Sequence, residues 1–329
     1  MAAKLGHNTG GGVSINVDVH WNEVDLTNSW PLNTQEDSPW GLDRISDFNT
    51  LKYRNFDDKG FRYLYEDWVP VNIYVVDSGV RATHKEFEKH RVRWGYVAPG
   101  EKAEDLNGQG TAVASVAAGV HCGVAKHAKI VACKIGSPKL KTTVECLKWI
   151  QDEAAGLKTA SVVVIPWAER DESHELDLAV RKLLEAGIHC VVAAGDANSD
   201  ACYFTPARVK DCITVGGCTI RDERSATSNF GGDLDIFAPG EDVLAASNAS
   251  DSDFVYVTGT SVASAHVAGL VAYFMSLLGP TTPEKMKRFI QKLAIINALY
   301  GDLCGSPNLL ANNCHRMTHP VIKKDGSSK

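Results

Sequence analysis

The chain has 329 residues, of which 44% are hydrophobic and 22% are charged, and its formal net charge is −6. This composition is that of an ordinary globular protein, and it excludes disorder throughout. Because nucleic-acid binding depends on Lys and Arg side chains that neutralise phosphates, the acidic balance argues against a nucleic-acid partner.

Targeting signals and cysteine spacing add two further expectations. No stretch approaches the run of about 18 apolar residues that a membrane helix needs, and the start, MAAKLGHNTGGG, lacks the apolar core of a signal peptide. We therefore expect no membrane partner and, if Met1 is the native start, a cytoplasmic or otherwise intracellular location. The nine cysteines show no CxxC or Cys/His spacing, so they predict reduced, mostly buried thiols and no zinc site.

The elements in chain order predict an α/β fold. Residues 1–37 are rich in Gly, Asn and Asp and are predicted to be an N-terminal extension, in which SINVDVHW could add an edge strand. Residues 38–314 alternate short apolar runs with helical stretches, and residues 315–329 form a basic tail. Such runs are typical of strands buried on both faces, so we expect a doubly wound, mostly parallel sheet with helices on both faces. The predicted strands are 71–76, 130–133, 161–165, 188–194 and 212–215, and the predicted helices are 110–119, 142–155, 172–186, 259–278 and one that opens at Pro283.

Three polar landmarks fall where such a sheet binds ligands, beyond the carboxyl ends of its strands. Asp77 ends the first apolar run, Asp196 follows the fourth, and Ser261 opens a long helix. Each residue alone could be a cap or a turn. The three together favour a functional site.

The segments around these landmarks resemble a known family. They are VNIYVVDSGVRATHKEFE, NGQGTAVASVAAG, VVAAGDAN and GTSVASAHVAGLVAYF. In this order they are similar to the aspartate, histidine, oxyanion and serine motifs of the subtilisin-like serine proteases, the subtilases of peptidase family S8. The resemblance extends over about residues 38–312, is greatest to the proteinase K branch, and implies the subtilisin-like three-layer fold. It also offers the hypothesis that the extension, residues 1–37, is a vestige of the family's propeptide.

Two positions depart from the family pattern. The resemblance places Gln109 at the catalytic histidine and Asp196 at the oxyanion-hole asparagine, whereas Asp77 and Ser261 match. A glutamine amide cannot take the proton of a serine hydroxyl or return it to a leaving amine. In subtilisin, loss of the histidine alone costs about 2 × 10⁶ in kcat. An ionised Asp196 would also repel the negative charge that forms on the carbonyl oxygen. We therefore expect no classical endopeptidase activity.

The substrate cleft is predicted to differ as well. Where the family has a Gly-containing segment that pairs with substrate, this chain has IPWAER, with Pro166, Trp167, Glu169 and Arg170. Proline removes a backbone donor and the larger side chains add bulk. The opposing segment, GSPKLKTT, lacks the usual Gly-Ser-Gly, so ordinary peptide docking is not expected.

Further residues have counterparts in the family or in its relatives. Sedolisins combine a Glu at the histidine position with an Asp in the oxyanion hole, but Gln109 and Val113 do not fit their pattern. His266 matches a structural histidine of the serine motif, and His84 matches a non-catalytic one. Asp235 in LDIFAPG matches a calcium ligand, with carbonyls near residues 209 and 211 as its partners. Calcium is therefore considered as a structural ion, and no other cofactor is expected.

Two functions remain open. One is a pseudo-protease that binds a small molecule or a protein in the former substrate cleft. The other is a repurposed enzyme in which Asp77, Asp196 and Ser261 perform acid–base chemistry, such as an isomerisation, cyclisation or elimination, on a small molecule. The retained Asp77 and Ser261 could also be structural remnants. The oligomeric state is not predicted.

Overall fold

The computed structural model describes residues 33–49, 60–65, 70–88, 90–136, 139–157, 159–170 and 173–314. The predicted edge strand SINVDVHW and the tail 315–329 lie outside these residues. The last residues of the predicted extension form β1 (Asn33–Glu36), which pairs antiparallel with β2 (Arg62–Tyr65). Gln35 on β1 also donates to the carbonyl of His121 at 2.9 Å, so this strand contacts the body of the domain.

A nine-stranded sheet forms the centre of the described structure, in the order β12-β13-β9-β8-β7-β6-β3-β5-β4. Every neighbouring pair in it is parallel except β12 and β13. A separate antiparallel hairpin pairs β10 with β11. These strands are β3 (Asn72–Asp77), β4 (Val92–Val97), β5 (Lys129–Lys134), β6 (Ser161–Ile165), β7 (His189–Ala193), β8 (Ile213–Cys218), β9 (Ile236–Pro239), β10 (Val243–Ala246), β11 (Phe254–Val257), β12 (Ile295–Ile296) and β13 (Leu309–Leu310).

Helices cover both faces of the sheet, as the sequence predicts. Side chains along β3 alternate between two cores: Ile73 packs in the core that contains α2 and α5, and Tyr74 packs in the core that contains α3 and α4. This alternation is what a strand buried on both faces requires. The helices are α1 (Trp40–Ser46), α2 (Gln109–Ala118), α3 (Lys139–Leu157), α4 (His174–Glu185), α5 (Thr260–Leu278) and α6 (Pro283–Leu293).

Helix α5 is the central helix of one layer. It is long and apolar enough, by length and composition alone, to cross a membrane. Within its apolar stretch of 18 residues, 83% is buried inside the protein. The expectation that no stretch approaches the apolar run of a membrane helix was therefore wrong. An apolar helix that the rest of the domain covers on nearly all sides is typical of the core of a three-layer fold.

All nine cysteines lie in the described residues and are free thiols. Seven are buried, and Cys202 and Cys304 are half-buried. Burial raises the pKa of several of these thiols, among them Cys314, whose pKa rises to about 12. The prediction that these thiols are mostly buried is confirmed.

Candidate active-site cleft

The landmark residues meet at the carboxyl edge of the sheet. Asp77 is the last residue of β3, and Trp167 and Asp196 lie in the loops that follow β6 and β7. Gln109 is the first residue of α2, and Ser261 is the second residue of α5. In a parallel sheet the strand ends and the following helix starts share one edge, so residues distant in sequence come together there.

Two glycines allow this close assembly. A Cβ atom added to Gly110 would lie 2.0 Å from the carbonyl oxygen of Gly79, so the start of α2 lies directly against the loop that follows β3. Gly259 has a φ of +151°, and a Cβ atom there would lie 3.2 Å from Asp196 Oδ2 and 3.3 Å from Ser261 Oγ. The carboxylate and the hydroxyl therefore flank the same glycine, and any side chain at that position would crowd both.

Asp77 is buried, and only one of its carboxylate oxygens is paired. Oδ1 accepts the backbone N–H of Ser78 at 2.6 Å, whereas Oδ2 has no hydrogen-bond partner within the described residues. Burial raises the pKa of Asp77 from 3.8 to about 6, and the hydrogen bonds from Ser78 oppose this rise. A buried oxygen without a donor is costly for an ionised carboxylate. Asp77 is thus poised to take up a proton near neutral pH.

Asp196 is tied to the start of α5. Its Oδ1 accepts the backbone N–H of Thr260 at 2.8 Å, and its Oδ2 accepts the hydroxyl of Thr260 at 3.1 Å. Although the residue as a whole is exposed, its carboxyl group lies against the helix, and this desolvation raises its pKa despite the two hydrogen bonds. A carboxylate at a helix N-terminus is favoured by the backbone N–H groups there. Asp196 therefore stabilises the helix that carries Ser261.

Gln109 and Trp167 form a wall inside the cleft. The Gln109 side-chain amide donates to the carbonyl oxygen of Pro166 at 3.3 Å. Trp167 is buried, its Nε1 donates to the carbonyl oxygen of Val76 at 3.3 Å, and the Lys139 ammonium lies 4.0 Å from its ring centroid. These contacts hold the wall between two cavities.

The larger cavity has a volume of about 680 Å³ and contains Ser261. Of the predicted site residues it also brings together Gln109, Asp196, Pro166 and Trp167. Sequence reasoning missed its other lining residues, which include Asn107, Phe204, Asn248, Val255 and Val257. The run of aromatic and β-branched residues FVYV at 254–257 could have predicted the strand that carries two of them.

The smaller cavity has a volume of about 270 Å³ and contains Asp77. Gln109 and Trp167 line this cavity too, together with Ser78 and Lys139. Asp77 and Ser261 thus line different cavities, and the Gln109–Trp167 wall, together with Asn107, lines both.

The two other predicted cleft residues line neither cavity. The backbone of Glu169 pairs with that of Thr205, and its carboxylate forms an ion pair with Lys139 at 3.1 Å. The Arg170 guanidinium lies 5.7 Å from the ring centroid of Tyr203. Both side chains therefore support the segment that follows Trp167.

No histidine lines either cavity in the described part of the chain. His84 Nδ1 accepts the backbone N–H of Glu86 at 3.0 Å, which leaves Nε2 to donate to the Asp253 carbonyl at 2.9 Å. His266 Nδ1 bonds to the Val262 carbonyl at 2.9 Å, and burial lowers its pKa to about 4. Both imidazoles are engaged by backbone groups away from the cleft.

The position considered for calcium is filled by a side chain. Asp235 Oδ1 lies 2.8 Å from the Lys287 ammonium and accepts the Gln291 amide at 3.2 Å, while Oδ2 accepts the backbone N–H of Thr214 at 2.9 Å. Calcium needs six to eight oxygen ligands. Among the described residues, no group of three or more His, Cys, Asp or Glu side chains could hold a metal. The residues present do not fit the ion.

Comparison with known proteins agrees with this architecture. A model of the subtilase family (Peptidase_S8) matches residues 70–316. The chain is 37% identical over 320 residues to the subtilisin-like serine protease Pen ch 18 of Penicillium rubens, which covers 90% of this chain and 64% of the relative. It is also 37% identical over 309 residues to cerevisin of Saccharomyces cerevisiae, which covers 86% of this chain and 48% of the relative.

A solved structure extends the likeness to the fold. The crystal structure of a cold adapted subtilisin-like serine proteinase superposes with a TM-score of 0.76 at 31% identity, and the match covers 84% of this chain and 98% of that one. The chain spans less than two thirds of the length of the two curated relatives above. On the family match, the sequence identity and the shared fold, this chain belongs to the subtilase family.

Proposed function

We propose that this chain is a subtilase without serine-peptidase activity that binds a ligand in its cleft. One observation carries the proposal. The described residues that line the cavity around Ser261 include no His, Lys or Arg, and their one ionisable side chain is the acid Asp196. A serine hydroxyl needs a neighbouring base to become a nucleophile, and the same group must later protonate the leaving amine.

The contacts of Gln109 and Asp196 support the same conclusion. The Gln109 amide is engaged with the Pro166 carbonyl and has no useful basicity near neutral pH. Asp196 presents oxygens, not N–H donors, to the space beside Ser261, so it cannot stabilise an oxyanion while it is ionised. The relatives are named as proteases, and this chain differs from a working serine protease in the chemistry of its cleft.

Labelling and cleavage together test the loss of peptidase activity. Purified protein is expected to leave a broad peptide library uncut at acidic, neutral and alkaline pH. It should also fail to react with a fluorophosphonate, because that probe requires an activated serine. The Ser261→Ala variant is the matched control. Cleavage or labelling that disappears in this variant would refute the proposal.

The shape and polarity of the larger cavity indicate the class of ligand. Its volume of about 680 Å³ is within the range of about 300–1,000 Å³ that is usual for small-molecule sites. Phe204, Val255 and Val257 supply apolar surface, and Asn107 and Asn248 supply amides. Asp196 is the one charged side chain among the described residues that line the cavity, so the cavity favours a neutral or cationic small molecule over an anion.

A pair of variants on β11 locates the binding site. Val255 lines the cavity, whereas the next residue, Tyr256, is 68% exposed and is absent from the lining. Successive strand residues point to opposite faces. A fragment screen that compares amines with carboxylic acids of matched shape should find amines preferred. Val255→Lys should weaken their binding and Tyr256→Lys should not. Equal binding of acids, or equal effects of the two variants, would contradict the assignment.

A second candidate function is acid–base catalysis on a small molecule. The observation that favours it is the pair of raised carboxyl pKa values, with that of Asp77 at about 6. A carboxyl group with such a pKa can both give and take a proton near neutral pH. Asp77 lies in the smaller cavity beside Ser78 and Lys139, apart from Ser261.

Asp77→Asn separates the two functions. Asp77 does not line the larger cavity, so its substitution should leave ligand binding there unchanged if binding is the function. If catalysis is the function, Asp77→Asn, Asp196→Asn and Ser261→Ala should each abolish the cellular activity. A deletion strain complemented with each variant, followed by metabolite profiling, measures this difference.

A further inference from the structure

The ammonium group of Lys287 lies in a cage of oxygen atoms. It is 2.8 Å from Asp235 Oδ1 and donates to the carbonyl of Cys212 at 2.8 Å and to the carbonyl of Lys210. An ammonium group has three donors. The three oxygens therefore satisfy all of its hydrogen-bonding capacity.

The oxygens of the cage come from separate parts of the fold. The two carbonyls belong to the turn before β8, Asp235 precedes β9, and Lys287 lies on α6. Thr214 on β8 donates its backbone N–H to the other Asp235 oxygen at 2.9 Å, and Gln291, one turn along α6 from Lys287, donates to Oδ1 at 3.2 Å. A single positive charge thus joins a helix to the ends of two strands.

We infer that the Lys287 ammonium replaces a structural calcium ion here, so that the stability of this chain does not depend on calcium. The cage has the oxygen donors that a hard cation binds, a carboxylate and two carbonyls. Its centre already holds a covalently attached cation, and both oxygens of Asp235 are hydrogen-bonded. Ion and ammonium would occupy the same space and carry the same sign of charge.

The cage is open to solution, so calcium could reach it. Lys287, Lys210 and Gln291 border a surface cavity of about 580 Å³, and the Lys287 side chain is 19% exposed. A lack of response to added calcium would therefore reflect the occupied cage and not a closed path.

Thermal unfolding with and without metal tests the inference on the unmodified chain. The unfolding temperature should be the same in millimolar EDTA and in millimolar CaCl₂. A higher unfolding temperature in CaCl₂ than in EDTA would overturn the inference, because a ligand that binds the native state must raise its stability. This measurement needs no variant.

Lys287→Met removes the charge and keeps most of the side-chain length. It leaves the Asp235 carboxylate without its cation, and removal of one partner of a buried ion pair typically lowers the unfolding temperature by on the order of 5–10 °C in a domain of this size. Lys285→Met is the matched control, since Lys285 is exposed on the same helix. Equal unfolding temperatures for the two variants would contradict the role of Lys287.

The Lys287→Met variant should also respond to calcium. Its emptied cage would present three oxygens to solution, so millimolar CaCl₂ should restore part of the lost unfolding temperature. The double variant Lys287→Met, Asp235→Asn should not recover. If calcium leaves Lys287→Met unchanged, these oxygens are not a cation cage and the inference fails. If the variant does not fold, the comparison of EDTA with CaCl₂ on the unmodified chain still decides the matter.

Discussion

Gln109 donates its side-chain amide to the Pro166 carbonyl at 3.3 Å, while Asp77 Oδ2 has no hydrogen-bond partner among the described residues. The two side chains line the same smaller cavity. The amide therefore stabilises the cleft wall, and the carboxylate is left with an unused acceptor. In a Ser-His-Asp triad, the carboxylate accepts a hydrogen bond from an imidazole that also contacts the serine.

Gln109→His should supply that imidazole. We expect slow hydrolysis of an activated ester such as p-nitrophenyl acetate, because Asp77 Oδ2 is free to orient the ring and Gln109 also lines the cavity of Ser261. Adding Asp196→Asn should raise the rate further, by up to about 10²–10³, through a new oxyanion donor. Release of p-nitrophenol measures the rate.

Ser261→Ala in the Gln109→His background is the control, and it should return hydrolysis to the level of the unmodified chain. If folded Gln109→His protein hydrolyses no more ester than the unmodified chain, the wall formed by Gln109 and Trp167 prevents the triad from assembling.

Asp77→Asn should stabilise the protein in alkaline solution. The pKa of Asp77 rises from 3.8 to about 6 on burial, so the folded chain binds more protons than the unfolded chain between these values. The stability that this group contributes is fully present below 3.8 and is lost as the pH rises through about 6. Above that pH, the buried carboxylate costs on the order of 3 kcal/mol. Asparagine removes this cost, and urea unfolding at about pH 8 and at about pH 4 measures the difference. If Asp77→Asn raises the free energy of unfolding by the same amount at both pH values, the raised pKa assigned to Asp77 is refuted.

The sequence predicted the longest buried strands, β3 and β5 to β8, but it missed the short buried strand β9 as well as the partly exposed ones. The run Ser161–Ile165 matches β6 at both ends because all five of its residues are buried. Strand β4, VRWGYV, was not predicted, since its residues are mostly half-buried and it has no continuous apolar run. Strand β11, FVYV, was not predicted although its residues are apolar or aromatic, because the run has only four residues. A run of five or six residues buried on both faces produces a pattern that a sequence reveals. A strand of four residues, such as β9 or β11, does not stand out even where it is apolar, and the edge strand β4 mixes polar and apolar residues.

For the candidate site, the sequence predicted which residues lie together but not which contacts their side chains make. The order of the motifs was enough to predict that Gln109, Asp196 and Ser261 lie at one edge of the sheet, because the topology determines where strands end and helices begin. It could not predict that Gln109 bonds to Pro166, or that Lys287, 52 residues after Asp235, occupies the cation position. Such contacts depend on the directions of long side chains from distant segments, which local patterns do not determine.

Asp196→Ala should weaken the start of α5. The substitution removes the acceptors of the Thr260 backbone N–H and hydroxyl, at a cost of about 1–2 kcal/mol in the free energy of unfolding. Asp196→Asn keeps one acceptor oxygen and should cost less. Urea unfolding of the two variants gives the comparison, and a loss for asparagine as large as for alanine would contradict the role assigned to the carboxylate oxygens.

Trp167→Ala should join the two cavities and destabilise the fold. The indole is 7% exposed, and its removal from such a site typically costs about 3–5 kcal/mol because the surroundings relax only in part. Trp167→Phe keeps an aromatic face for Lys139 but loses the N–H that bonds to the Val76 carbonyl, so it should cost about 1–3 kcal/mol. Lys139→Met removes the cation–π contact, worth about 0.5–2 kcal/mol, together with the ion pair to Glu169, and Glu169→Gln removes the ion pair alone.

Because Trp167 separates the cavity of Ser261 from that of Asp77, its loss should also change which ligands bind. Some amines should become too bulky for the unmodified chain when a group is added to them. Trp167→Ala should still bind these larger amines, since the added group can enter the space beside Asp77. Calorimetric titration with a series of amines of increasing length measures this. If the preference for length is the same in both proteins while Trp167→Ala remains folded, then Trp167 is not the barrier between the two cavities.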